Sequence, residues 1–226
     1  MIQLADNLWV RHYPLSILGS QHGRTVTVIR LKSGKLIIHS MAPFTAADVA
    51  EIRALGTPGW LVESMLLHDT YSRKGWQAFG SDLPFLGPPG FSEIVKFPTE
   101  PLLPAPPEWE GEIKVMPVGG APKLLEHAFL HIPSRTLIVA DLVFNFPANE
   151  TGWNRFFHRH IAGIKGHPGM SRVFKMCITD PAAFIASVDD IIATRFERLI
   201  VGHGEVVERG GWEALAAAVK AALPGA

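Results

Sequence analysis

Most of the fold prediction rests on one stretch, Leu124-Leu-Glu-His-Ala-Phe-Leu-His-Ile-Pro-Ser-Arg-Thr-Leu-Ile-Val-Ala-Asp-Leu-Val-Phe-Asn-Phe146. Residues 125–132 alternate between two faces, Pro133-Ser-Arg135 breaks the run, and Thr136-Leu-Ile-Val-Ala140 resumes it. This pattern predicts two strands joined by a tight turn. The second strand ends in Asp141, which we expect to face solvent or a ligand, because burying an unpartnered carboxylate is costly. A lone Asp at this position is also typical of a turn or helix cap.

Composition narrows the classes of function. The 226 residues are 47% hydrophobic and 19% charged, with a net charge of +0, so no electrostatic feature favours nucleic acid or an anionic membrane as partner. The single Cys177 excludes an internal disulfide, and its apolar neighbours predict a buried thiol. The start of the sequence does not resemble a signal peptide, and no apolar run reaches membrane-spanning length. We therefore expect a cytoplasmic protein whose partner is a small-molecule substrate or ligand; the sequence does not indicate an oligomeric state.

Strand patterns come in runs, with single helices between them. A meander over Leu8–His39 precedes a helix over Thr45–Leu55, which Thr45 caps and Gly56 stops. The Pro- and Gly-rich segment Leu83–Pro107 is predicted to cross the surface as a long connection that has room for one short strand. Further predicted elements are strands at 60–62, 112–116 and 198–201 and helices at 76–79, 180–192 and 212–223, the last ended by Pro224-Gly225. This order predicts an α/β fold, a single αββα domain over residues 1–226 with two mixed sheets face to face and helices outside.

Four positions place an imidazole or a carboxylate where an apolar strand ends. Sheet edges that collect polar groups from several strands often form active sites, and these groups are ligands for Zn²⁺, Mn²⁺ or Fe. The glycines on both sides of His203 indicate that its ring is aimed at a specific place. The four positions are His39, His68-Asp69, Asp141 and His203.

Each position also has a structural interpretation. His39 is equally typical of a ring that satisfies backbone groups at a strand end, and Asp69 of a helix cap. His127 and His131 lie on one strand face, where the spacing allows them to point at solvent, and we expect them to be mainly structural. Three further histidines, interleaved with Arg and Lys, predict a solvated basic rim; they are His158, His160 and His167.

The order of these features resembles the metallo-β-lactamase-like hydrolases over most of the chain. The resemblance lies in the meander ending at His39, the loop at His68-Asp69, the loop Val115–Pro122, the hairpin into Asp141 and the final Gly202-His-Gly204. The sequence is also similar to a bacterial family described as a domain of unknown function. The resemblance implies the αββα fold and a metal-dependent hydrolase.

The sequence departs from the metal-binding pattern of that superfamily. The His-x-His-x-Asp-His motif corresponds to Ser64–Asp69, which lacks the two leading histidines and inverts the final pair. The Gly-His-Thr-Pro-Gly loop corresponds to Gly119–Pro122, which has no imidazole, so only Asp141 and His203 stand in place.

Two interpretations follow. The first is a rearranged site for one divalent metal (Zn, Mn or Fe), with His68, Asp69, Asp141 and His203 as ligands, supplemented by His127 or His39. In it Asp69 is ligand or general base for hydrolysis of an ester, lactone or amide. The second is a site without metal on a non-catalytic small-molecule-binding or assembly protein.

Overall fold

A computed structural model of the chain describes residues 1–223. The strands are β1 (Ile2–Ala5), β2 (Leu8–Tyr13), β3 (Ser16–Ile17), β4 (Ser20–Gln21), β5 (Arg24–Arg30), β6 (Lys35–His39), β7 (Thr57–Val62), β8 (Phe85–Gly87), β9 (Glu100–Pro101), β10 (Ile113–Pro117), β11 (His127–His131), β12 (Thr136–Ile138) and β13 (Arg198–Ile200). The helices are α1 (Ala46–Leu55), α2 (Ser72–Phe79), α3 (Phe91–Val95), α4 (Gly152–Phe156), α5 (Arg172–Cys177), α6 (Pro181–Ala193) and α7 (Gly211–Ala222), with a 3₁₀ turn at Pro107–Trp109 and a π-helical turn at Phe157–Ile161.

The strands form two main sheets. The first has seven strands in the order β1-β2-β5-β6-β7-β8-β9, antiparallel as far as β6 and parallel from there on. The second has the order β10-β11-β12-β13, in which only the β12–β13 pair is parallel. Strands β3 and β4 form a separate small hairpin. Both sheets are therefore mixed, as predicted.

Apolar side chains between the two sheets form the central layer of the core. Ile29 and Ile37 of the first sheet pack in one cluster with Phe129 and Ile138 of the second, and all four are at most 1% exposed. Burying each such side chain stabilises the fold by about 1.5–3 kcal/mol. The second-sheet members of this cluster come from the predicted hairpin, which therefore lies at the centre of the molecule.

Helices cover the outer face of each sheet. Ile52 of α1 packs in a cluster with Leu36 and Ile38 of β6. Phe184 of α6 and Leu215 of α7 pack in a cluster with residues of β12 and β13. The order of layers is helix, sheet, sheet, helix, which confirms the predicted αββα architecture.

The predicted starts of helices α1 and α6 are confirmed. The Thr45 hydroxyl accepts a hydrogen bond from the Asp48 amide while the Asp48 carboxylate accepts one from the Thr45 amide, a reciprocal capping box. Asp180 caps α6, with Pro181 in its first turn. Helix α7 covers nearly the predicted span, and its predicted stop at Pro224-Gly225 lies outside the described residues. Within residues 1–223, no helix has both the length and the apolar character needed to cross a membrane.

The prediction for Leu83–Pro107 was wrong in part. This segment supplies two strands and a helix, and Phe85, Leu86 and Phe91 are at most 2% exposed. Its strands extend the first sheet in parallel as far as its edge, where prolines are tolerated because a missing amide donor costs least there.

Candidate metal centre

Three side chains from separate parts of the chain meet at one edge of the two sheets. The Nε2 atom of His68 lies 3.1 Å from Oδ1 of Asp141, and the Nε2 atom of His203 lies 3.2 Å from the same oxygen. One ligand atom from each residue lies within 4.8 Å of the other two. Both imidazoles are nearly fully buried, whereas the Asp141 side chain is 19% exposed. The group therefore has one open side.

The topology explains this meeting. Strands β12 and β13 are parallel neighbours, so their carboxyl ends reach the same edge, and Asp141 and His203 follow those ends by three residues each. His68 follows β7 of the other sheet after a short loop. Polar groups at carboxyl ends of parallel strands commonly converge in this way.

Two glycines make room for the close approach. A Cβ atom on Gly202 would lie 2.6 Å from the carbonyl oxygen of Ala140 and 3.0 Å from Cε1 of His68. Gly204 has a φ of +104°, and a Cβ there would lie 2.2 Å from the carbonyl oxygen of Asn145. Side chains at either position would push His203 away from Asp141, which accounts for the Gly-His-Gly sequence.

The second nitrogen of His203 fixes the state of its ring. Nδ1 lies 2.5 Å from the carbonyl oxygen of Gly23, so it carries the proton and donates it to that acceptor. In the neutral ring the Nε2 lone pair then faces the Asp141 carboxylate at 3.2 Å. Burial lowers the pKa of His203, although Asp141 opposes this shift. Two electron-rich atoms that face each other in a buried site repel, and either a metal ion or a shared proton between them relieves that repulsion.

A buried charged network lies behind His68. Its Nδ1 atom is 3.6 Å from Oε2 of Glu63, whose other oxygen accepts a hydrogen bond of 2.7 Å from the Met41 amide. The guanidinium of Arg24 lies 3.9 Å from the same carboxylate and donates to the Ser40 hydroxyl at 3.2 Å. At 3.6 Å the His68–Glu63 contact is an ion pair and not a hydrogen bond. A carboxylate beside the second nitrogen is also found with metal-ligating imidazoles.

The electrostatics of the group follow from burial and from these partners. Burial raises the pKa of Asp141, but the two imidazoles outweigh it and hold that pKa well below its usual range. Burial and Arg24 lower the pKa of His68, and Asp141 and Glu63 raise it by more. Asp141 is therefore an ionised carboxylate, the form that binds metals.

A second buried carboxylate supports the loop that carries Asp141. Glu126 is 1% exposed, and its two oxygens accept hydrogen bonds from the amides of Ala140 at 2.8 Å and Asp141 at 3.0 Å. Burial and the neighbouring Asp141 charge raise the pKa of Glu126 to about 7. These two bonds fix the backbone from which the Asp141 side chain projects.

Of the predicted ligands, Asp69 lies apart from this group. Its side chain is exposed, and its backbone carbonyl accepts a hydrogen bond from the Ser72 amide before α2. The geometry therefore gives no support to Asp69 as ligand or general base. His39, which is 2% exposed, packs edge-on against Phe129 and also lies outside the group.

The other histidines divide into buried and exposed ones. His127 and His131 are 7% and 1% exposed, because both faces of the central β11 are covered, which agrees with a structural role and not with contact to solvent. The predicted basic rim was wrong for His158, whose ring stacks on Phe146 at 3.6 Å and whose Nδ1 atom lies 2.9 Å from Glu150, whereas His160 and His167 are exposed. A local charge pattern could not reveal these tertiary partners.

The loop Gly119–Pro122 corresponds to a loop that carries an imidazole in the superfamily that this chain resembles. In this chain it packs against α6. Gly119 and Gly120 lie so close to the start of α6 that a Cβ atom would come within 2.8 Å and 2.2 Å of the carbonyl oxygens of Ala183 and Asp180. Ser64, which stands where a leading histidine would be, is fully buried. Within the described residues, the candidate ligands are therefore three.

Comparisons with known proteins place the fold. The DIM-1 metallo-beta-lactamase exposed to ceftazidime is 14% identical, with a TM-score of 0.65, over 98% of this chain and 96% of that chain. A metallo-beta-lactamase from Hirschia baltica is 11% identical, with a TM-score of 0.67, over 100% and 98%. One from Pontibacter korlensis is 10% identical, with a TM-score of 0.63, over 95% and 94%. No protein-family model matches the sequence, and no curated protein matches it significantly.

These likenesses establish a metallo-β-lactamase fold. At identities of 10–14% they do not extend to activity. On this fold, the His, Asp and His group at the sheet edge is consistent with a divalent metal.

Proposed function

We propose that this protein is a metal-dependent hydrolase with a single divalent ion held by His68, Asp141 and His203. One observation carries the proposal. The unprotonated Nε2 atom of His203 faces the ionised oxygen of Asp141 at 3.2 Å in a buried site, an arrangement that calls for a cation. We also propose that the chain is a diverged member of the bacterial family of unknown function that its sequence resembles.

The spacing of the donor atoms suits a small ion. Tetrahedral ligands with bonds of about 2.0–2.1 Å lie roughly 3.4 Å from one another. The two imidazole nitrogens lie 3.1 Å and 3.2 Å from Oδ1 of Asp141, close to this spacing. One ligand atom from each of the three residues lies within 4.8 Å of the others. Imidazole with carboxylate suits Zn²⁺, Mn²⁺ and Fe²⁺.

Three protein ligands leave a coordination position free, as in catalytic rather than structural sites. When bound, the ion supplies Lewis-acid polarisation of a carbonyl group and acidifies a water molecule. The protein residues fix the geometry: the carbonyl of Gly23 orients His203, and the carboxylate of Glu63 forms an ion pair behind His68. In the net reaction water adds to the acyl carbon of an ester, lactone or amide, and the bond to the leaving oxygen or nitrogen breaks. The leaving group takes one of the water protons.

A second candidate function has its own support. Oδ1 of Asp141 already lies within hydrogen-bond distance of both imidazoles, so a proton shared among the three groups satisfies the same geometry. In that case the group is structural, and the protein binds a small molecule or a partner without catalysis.

The experiment starts from protein purified without chelator and loaded separately with Zn²⁺, Mn²⁺ and Fe²⁺. Loaded protein is assayed against panels of 4-nitrophenyl esters, lactones and anilides, alongside His203→Asn and the matched His160→Asn, which alters an exposed histidine outside the group. The proposal expects metal-dependent hydrolysis that chelator removes, that His203→Asn loses and that His160→Asn retains. Metal binding without turnover of any panel would contradict the hydrolase, and absence of metal binding would favour the second candidate.

A further inference from the structure

An apolar cleft opens beside the candidate metal centre. Its volume is about 260 Å³, slightly below the range of about 300–1,000 Å³ usual for drug-sized ligands. Asp141 and His203 form part of its wall, together with two other polar side chains, His22 and Ser171. A molecule in this cleft would therefore lie against the candidate ligands.

The rest of the cleft wall is aliphatic or aromatic. Met65, Leu124 and Phe174 are at most 1% exposed and form its buried part. Leu67 and Val173 lie in the wall but are 50% and 57% exposed, which places them at the mouth. Further exposed apolar side chains of the wall are Ile17 and Ile161, the latter on the π-helical turn.

No lysine, arginine or glutamate is among the described residues that line the cleft. In the apolar part of the cleft, away from the candidate metal ligands, a charged substrate group would lose its hydration without gaining an ion pair, which weakens its binding. Apolar side chains that stay half-exposed at the mouth would instead be covered favourably by an apolar ligand.

We propose that the cleft binds the apolar acyl chain of a neutral substrate, with the scissile carbonyl directed at Asp141 and His203. The substrate class is then a neutral ester or lactone with an aliphatic acyl group. This inference rests on the proposed function, since it names the substrate of the same site. Binding of the apolar acyl chain can nevertheless be measured without catalysis.

The binding test uses the methyl ketones butan-2-one to decan-2-one, which are neutral and cannot be hydrolysed, as displacers of the fluorescent dye Nile red. Each added methylene buried in the cleft should tighten binding about four-fold until the cleft is full. A dissociation constant that stays flat along the series would overturn the inference.

A matched pair of variants on α5 places the site. Val173→Asp introduces a carboxylate at the mouth, whereas Met176→Asp introduces one on the same helix at a residue that is 75% exposed and outside the cleft wall. We expect Val173→Asp to weaken decan-2-one binding about ten-fold or more, because the chain then packs beside a charge, and Met176→Asp to leave it unchanged. Equal effects of the two variants would overturn the inference.

Hydrolysis of 4-nitrophenyl acetate, butyrate and octanoate by the metal-loaded protein separates the two proposals. Graded ketone binding without any ester hydrolysis would support the apolar cleft and contradict the hydrolase. Metal-dependent hydrolysis with equal kcat/KM for the three esters would support the hydrolase and contradict the apolar cleft. The joint proposal expects kcat/KM to rise from acetate to octanoate, and Val173→Asp to remove that rise.

Discussion

The buried carboxylate of Glu126 accepts a hydrogen bond of 3.0 Å from the backbone amide of Asp141, next to the candidate metal centre. Its other oxygen holds the amide of Ala140, so one buried side chain satisfies two consecutive amide donors. Asp141 projects from a backbone that cannot rotate without breaking these bonds. The position of the carboxylate ligand is thus set by a second carboxylate.

Replacing Glu126 by leucine should destabilise the protein and weaken metal binding together. Each buried amide left without an acceptor costs about 1–3 kcal/mol, so the free energy of unfolding in urea should fall by about 2–6 kcal/mol. The matched control is Glu112→Leu, because the Glu112 carboxylate also accepts bonds from a backbone amide, that of Lys32, away from the site. The control should lose stability but keep its metal affinity. Equal metal affinity in the two variants would contradict the role given to Glu126.

Glu63→Gln should weaken metal binding and lower stability. The Glu63 carboxylate lies 3.6 Å from Nδ1 of His68, and loss of such a partner typically costs 10–100-fold in metal affinity. The free energy of unfolding should fall as well, because the buried Arg24 guanidinium loses its carboxylate neighbour. Isothermal titration with Zn²⁺ measures the metal affinity, with Glu112→Gln as the control that alters a buried carboxylate elsewhere. If Glu63→Gln bound Zn²⁺ as tightly as wild type, the Glu63–His68 contact would have no part in the site.

His131 should make stability depend on pH. Burial lowers the pKa of His131 to about 4, below the usual 6.5, so the unfolded state binds more protons between these values. The contribution is fully present above pH 6.5 and is lost as the pH falls towards 4, by up to about 3 kcal/mol. Urea unfolding between pH 7 and 4 should show a shallower pH dependence for His131→Asn than for wild type. His160→Asn, at an exposed site, should keep the wild-type slope; the same slope in all three proteins would refute this prediction.

Much of the fold could be predicted from the sequence because its signals are local. The break at Pro133–Arg135, the capping box at Thr45 and the Asp180-Pro181 helix start each depend on a few neighbouring residues. The chain order of strands and helices then predicted the layers. The strands of Leu83–Pro107 escaped prediction because each is only two or three residues long and depends on its neighbour in the sheet.

The candidate site, like the fold, could be predicted from the sequence only in part. Three of the four proposed ligands form one group, and Asp69 lies outside it. The sequence shows that residues 68 and 69 are neighbours, but it does not show that their side chains project in different directions. Arg24, Glu63 and Glu126 were missed, since a buried charge in an apolar strand is recognised only when its tertiary partner is known. The apparent mismatch of Glu126 with its apolar neighbours was the one signal that could have revealed it.

Metal titration of Asp141→Asn against Asp69→Asn tests the central claim most directly. Asparagine keeps the size of each side chain and removes its charge, and circular dichroism verifies that both variants stay folded. We expect about one Zn²⁺ per chain for wild type and for Asp69→Asn, and binding at least about 100-fold weaker for Asp141→Asn, since loss of a ligand should exceed the effect of losing a supporting contact. If wild-type protein bound no divalent metal, or if Asp141→Asn protein bound it as tightly as wild type, the three residues would not form a metal site.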